Sequence, residues 1–419
     1  MKVVHLNTSD FGGAAMAAIQ LHLALLDSGV DSDLLTLNKT RNDIPRHTLV
    51  EPFKLGGSDP INKLRYKSRR LMEHTGLVED RSSGPGNRDL QGRPPGFEIF
   101  TLPYSFFNIV EHPLVKAADV IHLHWVSYGM IDFEAFFGAC SKPVVWTLHD
   151  MNPFTGGCHH ADDCSGYRRA CETCPQLRDK EQAHVYWAYK QKALAKFPAD
   201  RLQLVAPSRW LAGRAEASTI MQGRSCRVIP NGFDVAHFSY DRHARERLDL
   251  PSDKRIILFN ALDVNNPRKG MQFLLPALKR MHEHNVLLVS VGGRTVAWPE
   301  GIPVHDAGYI TSTEQMALYY SAADLFVLPS MAENLPNTIS ESLLCGTPVV
   351  AFNVGGIPEQ VHAGNGMLVE QYTSAALEAA IHAALGMTWD HLTIAQQASQ
   401  RYDRRTVAKE YQRIYGSEP

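Results

Sequence analysis

Two glutamates, Glu333 and Glu341, stand eight residues apart in AENLPNTISESLLCGTPVVAF, a pair of carboxylates that could accept hydrogen bonds from a hydroxylated ligand. An ionised carboxylate accepts two hydrogen bonds at once, a match for the paired hydroxyls of a ribose. The spacing alone carries little, because a helix-start charge followed by a surface residue gives the same pattern. The surrounding residues add more. Leu325–Leu328 reads as a strand ending in a proline turn, and a helix is predicted from about Pro336 to Leu344. Gly346 stops it and Pro348 enters the next strand. Glu333 then falls at the carboxyl end of a strand, where open α/β sheets take their ligands. The start of that helix offers unpaired N–H groups, which suit a diphosphate or sugar hydroxyls.

Other residues carry related chemistry. Arg268 and Lys269 follow a predicted strand and loop, a position where a basic pair is more often functional than merely solvated. Gly12 and Gly13 lie at the first strand-to-helix turn, where glycine lets the backbone approach a ligand. His149 ends the strand of WTLHD. Among nineteen histidines, His122, His124, His159 and His160 read as structural or loop residues. Four of seven cysteines, Cys158, Cys164, Cys171 and Cys174, crowd into one polar loop, 157–175. Thiolates so gathered suit a tetrahedral structural zinc, with His159 or His160 able to replace one of them. A reduced loop, or disulfides formed on isolation, is the other reading. DSD at Asp31–Asp33 sits at a strand start and is discounted as a metal motif.

These residues must be positioned by a repeating α/β pattern. Val3–Leu6, a glycine turn, a helix through Met16, Ile19, Leu23 and Leu26, and a strand at Asp33–Leu37 make the opening of a doubly wound unit. Val120–His124, Val144–Leu148 and Leu202–Ala206 continue it, with Ser208 capping a following helix. IPNGFD (Ile229–Asp234) is turn-rich. Beyond it, Ile256–Phe259, Val286–Val291, Leu325–Leu328 and Pro348–Ala351 form a second series, so the fold class is α/β with two successive parallel halves. Asp80–Gly96 reads as a Gly/Pro/Arg-rich loop. The basic run Lys54–Arg70 reads equally as a solvated helix face or as a surface for anionic lipid or a phosphorylated acceptor.

Composition narrows the class. The 419 residues favour more than one core, with 44% apolar and 21% charged residues. A net charge of −2 gives no whole-molecule case for nucleic acid. The polar turn straight after Leu6 leaves no export signal, and no run reaches the roughly 18 apolar residues of a spanning helix. A cytoplasmic protein is expected, peripheral to the membrane if the basic run contacts lipid.

The E-x7-E element, CGTPVVA, VGGIPE (Val354–Glu359), WTLHD (Trp146–Asp150), PSRWLA, PNGFD, RKG (Arg268–Gly270) and AADLFVLPS occur in one order over nearly the whole chain. In this the sequence resembles the retaining glycosyltransferases of family 4, and most of all the bacterial polysaccharide-assembly members of the colanic acid and exopolysaccharide type. The resemblance implies a GT-B fold, two Rossmann-like domains facing each other across a cleft. Residues 1–229 would take the acceptor, 230–398 the nucleotide-sugar donor, and 399–419 would return to the first domain as a helix.

It further implies that Glu341 binds the donor ribose, that Glu333 contacts the transferred sugar, and that the backbone of Asn334, Leu335, Pro336, Asn337 and Thr338 reaches the sugar and diphosphate. Arg268 and Lys269 would neutralise the leaving diphosphate, where charge grows in the transition state. His149 would hydrogen-bond the donor sugar or position the acceptor. Base selection would fall to backbone near Val291, Gly292 and Gly293 and near Tyr309 and Ile310. The implied reaction retains anomeric configuration by front-face attack without a catalytic metal; Glu333 as a nucleophile is the older rival. The donor is a UDP- or GDP-sugar, and the acceptor a glycan or lipid-linked glycan. A nucleotide-sugar epimerase, a phosphorylase and a non-catalytic nucleotide-sugar-binding protein are the alternatives. The basic pair argues against the epimerase, the missing pyridoxal-lysine site against the phosphorylase, and the intact Glu333, Glu341, Arg268 and Lys269 set against the binding protein.

Overall fold

Runs of Val, Ile and Leu buried on both faces make parallel strands that need helices above and below them. A computed structural model describes residues 1–51, 68, 72, 87–261, 263, 266–281, 285–293, 298, 300–301 and 303–416. Apart from Ser68, the basic run 54–70 lies outside these residues, as does the 80–86 part of the Gly/Pro/Arg-rich loop. The chain divides into two compact units, Met1–Ile229 with Val407–Pro419, and Pro230–Thr406.

The first unit is a seven-stranded sheet in the order β3-β2-β1-β4-β5-β6-β7. Its strands are β1 (Lys2–Ser9), β2 (Asp31–Asn38), β3 (His47–Leu49), β4 (Val120–Leu123), β5 (Val144–Thr147), β6 (Leu202–Ala206) and β7 (Cys226–Val228). Every pairing is parallel. The short edge strands β3 and β7 carry too few apolar residues to be read from sequence. Gly12, with a φ of 88°, opens the helix Gly13–Asp27, and Ser208 caps Arg209–Glu216 by accepting the Leu211 N–H at 3.0 Å. Asp31 and Asp33 of the DSD segment are ion-paired to Arg46, and Asp33 also to Lys2. They are structural charges.

The second unit repeats the plan with six strands in the order β10-β9-β8-β11-β12-β13. These are β8 (Arg255–Ala261), β9 (Val286–Gly292), β10 (Val304–Gly308), β11 (Leu325–Leu328), β12 (Val349–Phe352) and β13 (Gly366–Val369), again all parallel. The chain leaves this unit through two helices, His391–Tyr402 and Arg404–Tyr415. Asp403 separates them and accepts the Arg405 N–H at 2.8 Å. The PNGFD turn is held here too, because Phe233 exchanges backbone hydrogen bonds with Tyr402 and Arg404.

In both sheets the strand order reverses once, between β1 and β4 and between β8 and β11. Diverging loops at such a switch point leave a crevice beyond the carboxyl ends of the strands. No helix among the described residues is long and apolar enough to cross a membrane.

Candidate active site

The switch point of the second unit gathers the basic pair and one glutamate. Pro267–Lys269 forms a single 3-10 turn after β8, and Gly270 closes it with a φ of 78°. A Cβ on Gly270 would lie 1.8 Å from the Pro329 carbonyl oxygen, so only glycine lets this turn lie against the end of β11. The contact is fixed by the Met331 N–H donating to the Arg268 carbonyl at 2.8 Å. Lys269 Nζ then reaches Glu333 Oε1 at 2.6 Å, and an Arg268 guanidinium nitrogen lies 3.4 Å from the same oxygen. Arg268 also donates to the Ala332 carbonyl at 2.5 Å. All three charged side chains are largely buried, with at most 21% of their surface exposed.

Glu333 is held from the other side by the VGG segment. Gly355 has a φ of 61°, and a Cβ there would lie 1.7 Å from the Glu333 carbonyl oxygen. The neighbouring Gly356 N–H donates to the Asn334 carbonyl at 2.8 Å. The helix Asn337–Leu344 follows, with Pro336 as an N-cap that supplies no side-chain acceptor. Asn337 accepts from Asn231 Nδ2 at 2.8 Å.

Glu341 lies on that helix and accepts the Tyr320 hydroxyl at 2.9 Å. Tyr320 in turn accepts from Asn260 Nδ2 at 3.0 Å, so β8, the helix Thr313–Ala322 and the Glu341 helix are tied by one polar chain. Burial pushes the Glu341 carboxyl up to about 7, with the Tyr320 hydrogen bond opposing the shift. Gly292 and Ile310 sit at the carboxyl ends of β9 and β10, on the same edge of the sheet.

The first unit carries a row of imidazoles. His5 on β1 is level with His122 on β4, and His124 follows two residues on, so all three share one face of the sheet. His5 Nδ1 is 3.0 Å from His124 Nε2, and His124 Nδ1 is 3.2 Å from His149 Nε2. His122 is bracketed by Tyr415 and Thr147. Burial holds His5, His122 and His124 well below the usual histidine range. It takes His149 to about 4, with Asp150 opposing. These rings are neutral at pH 7. His149 is therefore suited to hydrogen bonding rather than to carrying a charge.

Asp150 beside it accepts from Trp125 Nε1 at 2.8 Å and pairs with His159 Nδ1 at 2.6 Å. Burial would raise this carboxyl, but the His159 ring and the Asn152 N–H outweigh it and hold the pKa at about 2. His159 Nε2 meets Thr101 at 2.9 Å. Both of its nitrogens are engaged, which removes it as a replacement ligand for a cysteine. Gly12 and Gly13 lie after β1, at the switch point itself.

The four cysteines do converge. Cys158, Cys164, Cys171 and Cys174 line one small cavity with Phe100, Tyr167 and Ala183. Among the described residues, however, the one group of His, Cys, Asp or Glu whose ligand atoms all lie within 4.8 Å of one another is His5, His122 and His124.

Comparison with known proteins fits this geometry. The sequence profile of the family described as Glycosyl transferases group 1 matches residues 253–386. A D-inositol 3-phosphate glycosyltransferase of Mycolicibacterium smegmatis is 33% identical over 376 residues, covering 87% of this chain and 76% of the relative. The chain belongs to the group 1 glycosyltransferases. The putative colanic acid biosynthesis glycosyl transferase WcaC of Escherichia coli K12 is 24% identical over 96% of both chains. Among solved structures, Anabaena HepE in complex with UDP-glucose superposes with a TM-score of 0.64 at 18% identity, covering all of both chains. That likeness is one of fold: two Rossmann-like α/β domains of the GT-B class.

Several residues of these two clusters, one in each unit, were not singled out from sequence. Tyr320 and Asn260 position Glu341, and nothing in their own segments marks them. His5 and His124 left a faint trace, histidines at alternate positions of otherwise apolar strands. Their geometry selects one tautomer. His5 Nε2 is buried with no hydrogen-bond partner among the described residues, and an orphaned N–H is rarer in proteins than an orphaned acceptor. Were His149 to donate towards His124, the chain of donors would leave an N–H on His5 Nε2. The opposite direction leaves only a lone pair there. His124 therefore donates to His149 Nε2, and His149 carries its proton on Nδ1. Nitrogen-15 NMR of histidine-labelled protein is expected to find His149 protonated on Nδ1; a proton on Nε2 would contradict this direction.

Proposed function

We propose that the chain is a retaining glycosyltransferase that moves a sugar from a nucleoside diphosphate to a glycan or lipid-linked glycan in bacterial polysaccharide assembly. The observation that carries the reading is the convergence of Arg268, Lys269 and Glu333 at the β8/β11 switch point, with Glu341 on the following helix. Two cations and one carboxylate leave a local charge of +1 before any ligand arrives, and the start of the Asn337–Leu344 helix adds its partial positive charge. A diphosphate suits that field. Lys269 and Arg268 stabilise the negative charge that builds on it as the glycosidic bond breaks.

Glu341 accepts the ribose hydroxyls, with Tyr320 fixing one of its oxygens. Glu333 meets the transferred sugar. One Glu333 oxygen already lies against both cations, and a carboxylate so neutralised is a poor nucleophile. This favours front-face attack, in which a phosphate oxygen takes the acceptor proton. His149, neutral, offers its Nδ1 proton to an oxygen of the sugar or acceptor. Gly12 and Gly13 let backbone amides approach the same ligand, while backbone near Gly292 and Ile310 reads the base. No catalytic metal enters this scheme.

A UDP-sugar is the first candidate donor, supported by the UDP and UDP-glucose complexes of HepE, with a GDP-sugar second. Polysaccharide assembly is supported by the likeness to WcaC. A cytoplasmic location, with the basic run 54–70 at an anionic membrane surface, completes the proposal.

Kinetics separate the roles. Glu341→Ala is expected to weaken donor binding by about 10- to 100-fold, the worth of hydrogen bonds to a charged group. Arg268→Ala and Lys269→Ala are expected to lower kcat by about 10²-fold or more. Unchanged kinetics in all three would remove the assignment. Binding should also follow the Glu341 carboxyl, whose pKa is about 7. Only the ionised form accepts both ribose hydroxyls, so donor affinity measured by calorimetry rises from pH 6 to pH 8 and levels above it. Glu341→Gln flattens that profile; a wild-type profile already flat would count against ribose binding by Glu341.

A further inference from the structure

The loop that follows His149 is polar, yet three of its four cysteines are buried and the fourth, Cys164, is half-buried. Cys158, Cys171 and Cys174 are each less than a tenth exposed, and all four cysteines line the cavity described above. The TGGC segment is packed so closely that only glycine fits. A Cβ on Gly156 would lie 2.4 Å from the Ala183 carbonyl oxygen, and one on Gly157 would lie 2.3 Å from the Phe100 ring. Cys171 has a φ of 49°, an uncommon backbone conformation for a residue other than glycine. The chain is bent to bring sulfur to this point.

Burial pushes the Cys158, Cys171 and Cys174 thiols up, and hydrogen bonds around the sulfurs oppose that shift. The Gly166 N–H donates to Cys164 Sγ at 3.4 Å. Thr155 hydrogen-bonds Cys158, the Gly156 backbone Cys171, and the Gln176 and Leu177 backbone Cys174. Two cations complete the shell. Lys190 is fully buried, and its ammonium donates to the Asn152 and Thr155 carbonyls at 2.6 and 3.2 Å. Arg93 donates to the Gln176 and Glu98 carbonyls at 3.0 and 2.7 Å and to the Gln176 side chain. Neither cation forms an ion pair with a carboxylate among the described residues. Four neutral thiols would leave the buried Lys190 ammonium with the Asp150 carboxylate as its counter-charge, and burying a charge so thinly compensated is costly.

We propose that Cys158, Cys164, Cys171 and Cys174 together bind one structural Zn²⁺. Four thiols each release a proton and the ion accepts four sulfur lone pairs, so the centre carries a net charge of −2. Lys190 and Arg93 supply +2. Zinc–sulfur bonds of about 2.3 Å put tetrahedral ligands about 3.8 Å apart. No three of the cysteine sulfurs lie within 4.8 Å of one another, so ion entry draws them inward. The loop has no regular secondary structure beyond the single turn Gly166–Arg168. The ion would anchor the segment that carries Asp150 and His159, next to His149, without entering the chemistry.

The test uses the full chain purified without chelator. Elemental analysis is expected to give about one zinc per chain, falling to background in Cys171→Ser and Cys174→Ser. Cobalt exchanged into the wild-type protein should show sulfur-to-metal charge-transfer absorption, a readout that needs no variant to fold. Three results would each overturn the proposal: wild-type protein without zinc, a cobalt spectrum lacking thiolate charge transfer, or zinc retained in both cysteine variants and lost in His122→Phe.

Discussion

The ion pair between Lys269 and Glu333 is the contact on which the second unit's site depends. It joins the loop after β8 to the loop after β11, and those strands are neighbours only because the sheet reverses its order there. Both loops are pressed into place by glycines whose missing side chains leave room for a carbonyl, Gly270 against Pro329 and Gly355 against Glu333. A largely buried pair of this kind adds little net stability of its own. Its value is in position: it holds a cation and a carboxylate within one hydrogen bond of each other before any ligand arrives, which is the condition for electrostatic stabilisation without reorganisation.

The first unit solves a different problem with similar means. A parallel sheet is ordinarily covered by apolar side chains, yet here one face carries His5, His122, His124 and Thr147. Tyr411 and Tyr415 from the last helix cover it and satisfy His122 and Thr147. Burial keeps the imidazoles neutral, and neutrality lets each ring both donate and accept. The row ends at His149, whose ring orientation is thus set by residues two strands away. The last helix is therefore part of the polar layer, and its two tyrosines explain why the chain returns to this sheet.

Much of this was legible in the residues themselves. The β11 strand was read at Leu325–Leu328, and the helix behind Glu341 at about Pro336 to Leu344 against Asn337–Leu344 observed, because a buried apolar run, a proline and a glycine marked their ends. The short strands β3, β7, β10 and β13 were not read. Three or four residues at a sheet edge or end leave no period to detect, and β10 has no fully buried residue, being half-buried except at the exposed Asp306. Arg268, Lys269 and Glu333 were legible through motif order, but their contact was not, since it depends on which strands are adjacent. Tyr320, Asn260, His5 and His124 were missed as site residues for the same reason. Each acts through a neighbour distant in sequence, and a tyrosine on a helix or a histidine in a strand looks the same whether or not that neighbour is there.

The most direct test of the account is a crystal structure of the protein with a nucleoside diphosphate. The diphosphate is expected at the start of the Asn337–Leu344 helix within hydrogen-bond reach of Lys269 and Arg268, with the ribose hydroxyls on the Glu341 carboxylate. A nucleotide bound elsewhere, or one whose phosphates lie away from Lys269 while the Lys269–Glu333 pair stays closed, would contradict it.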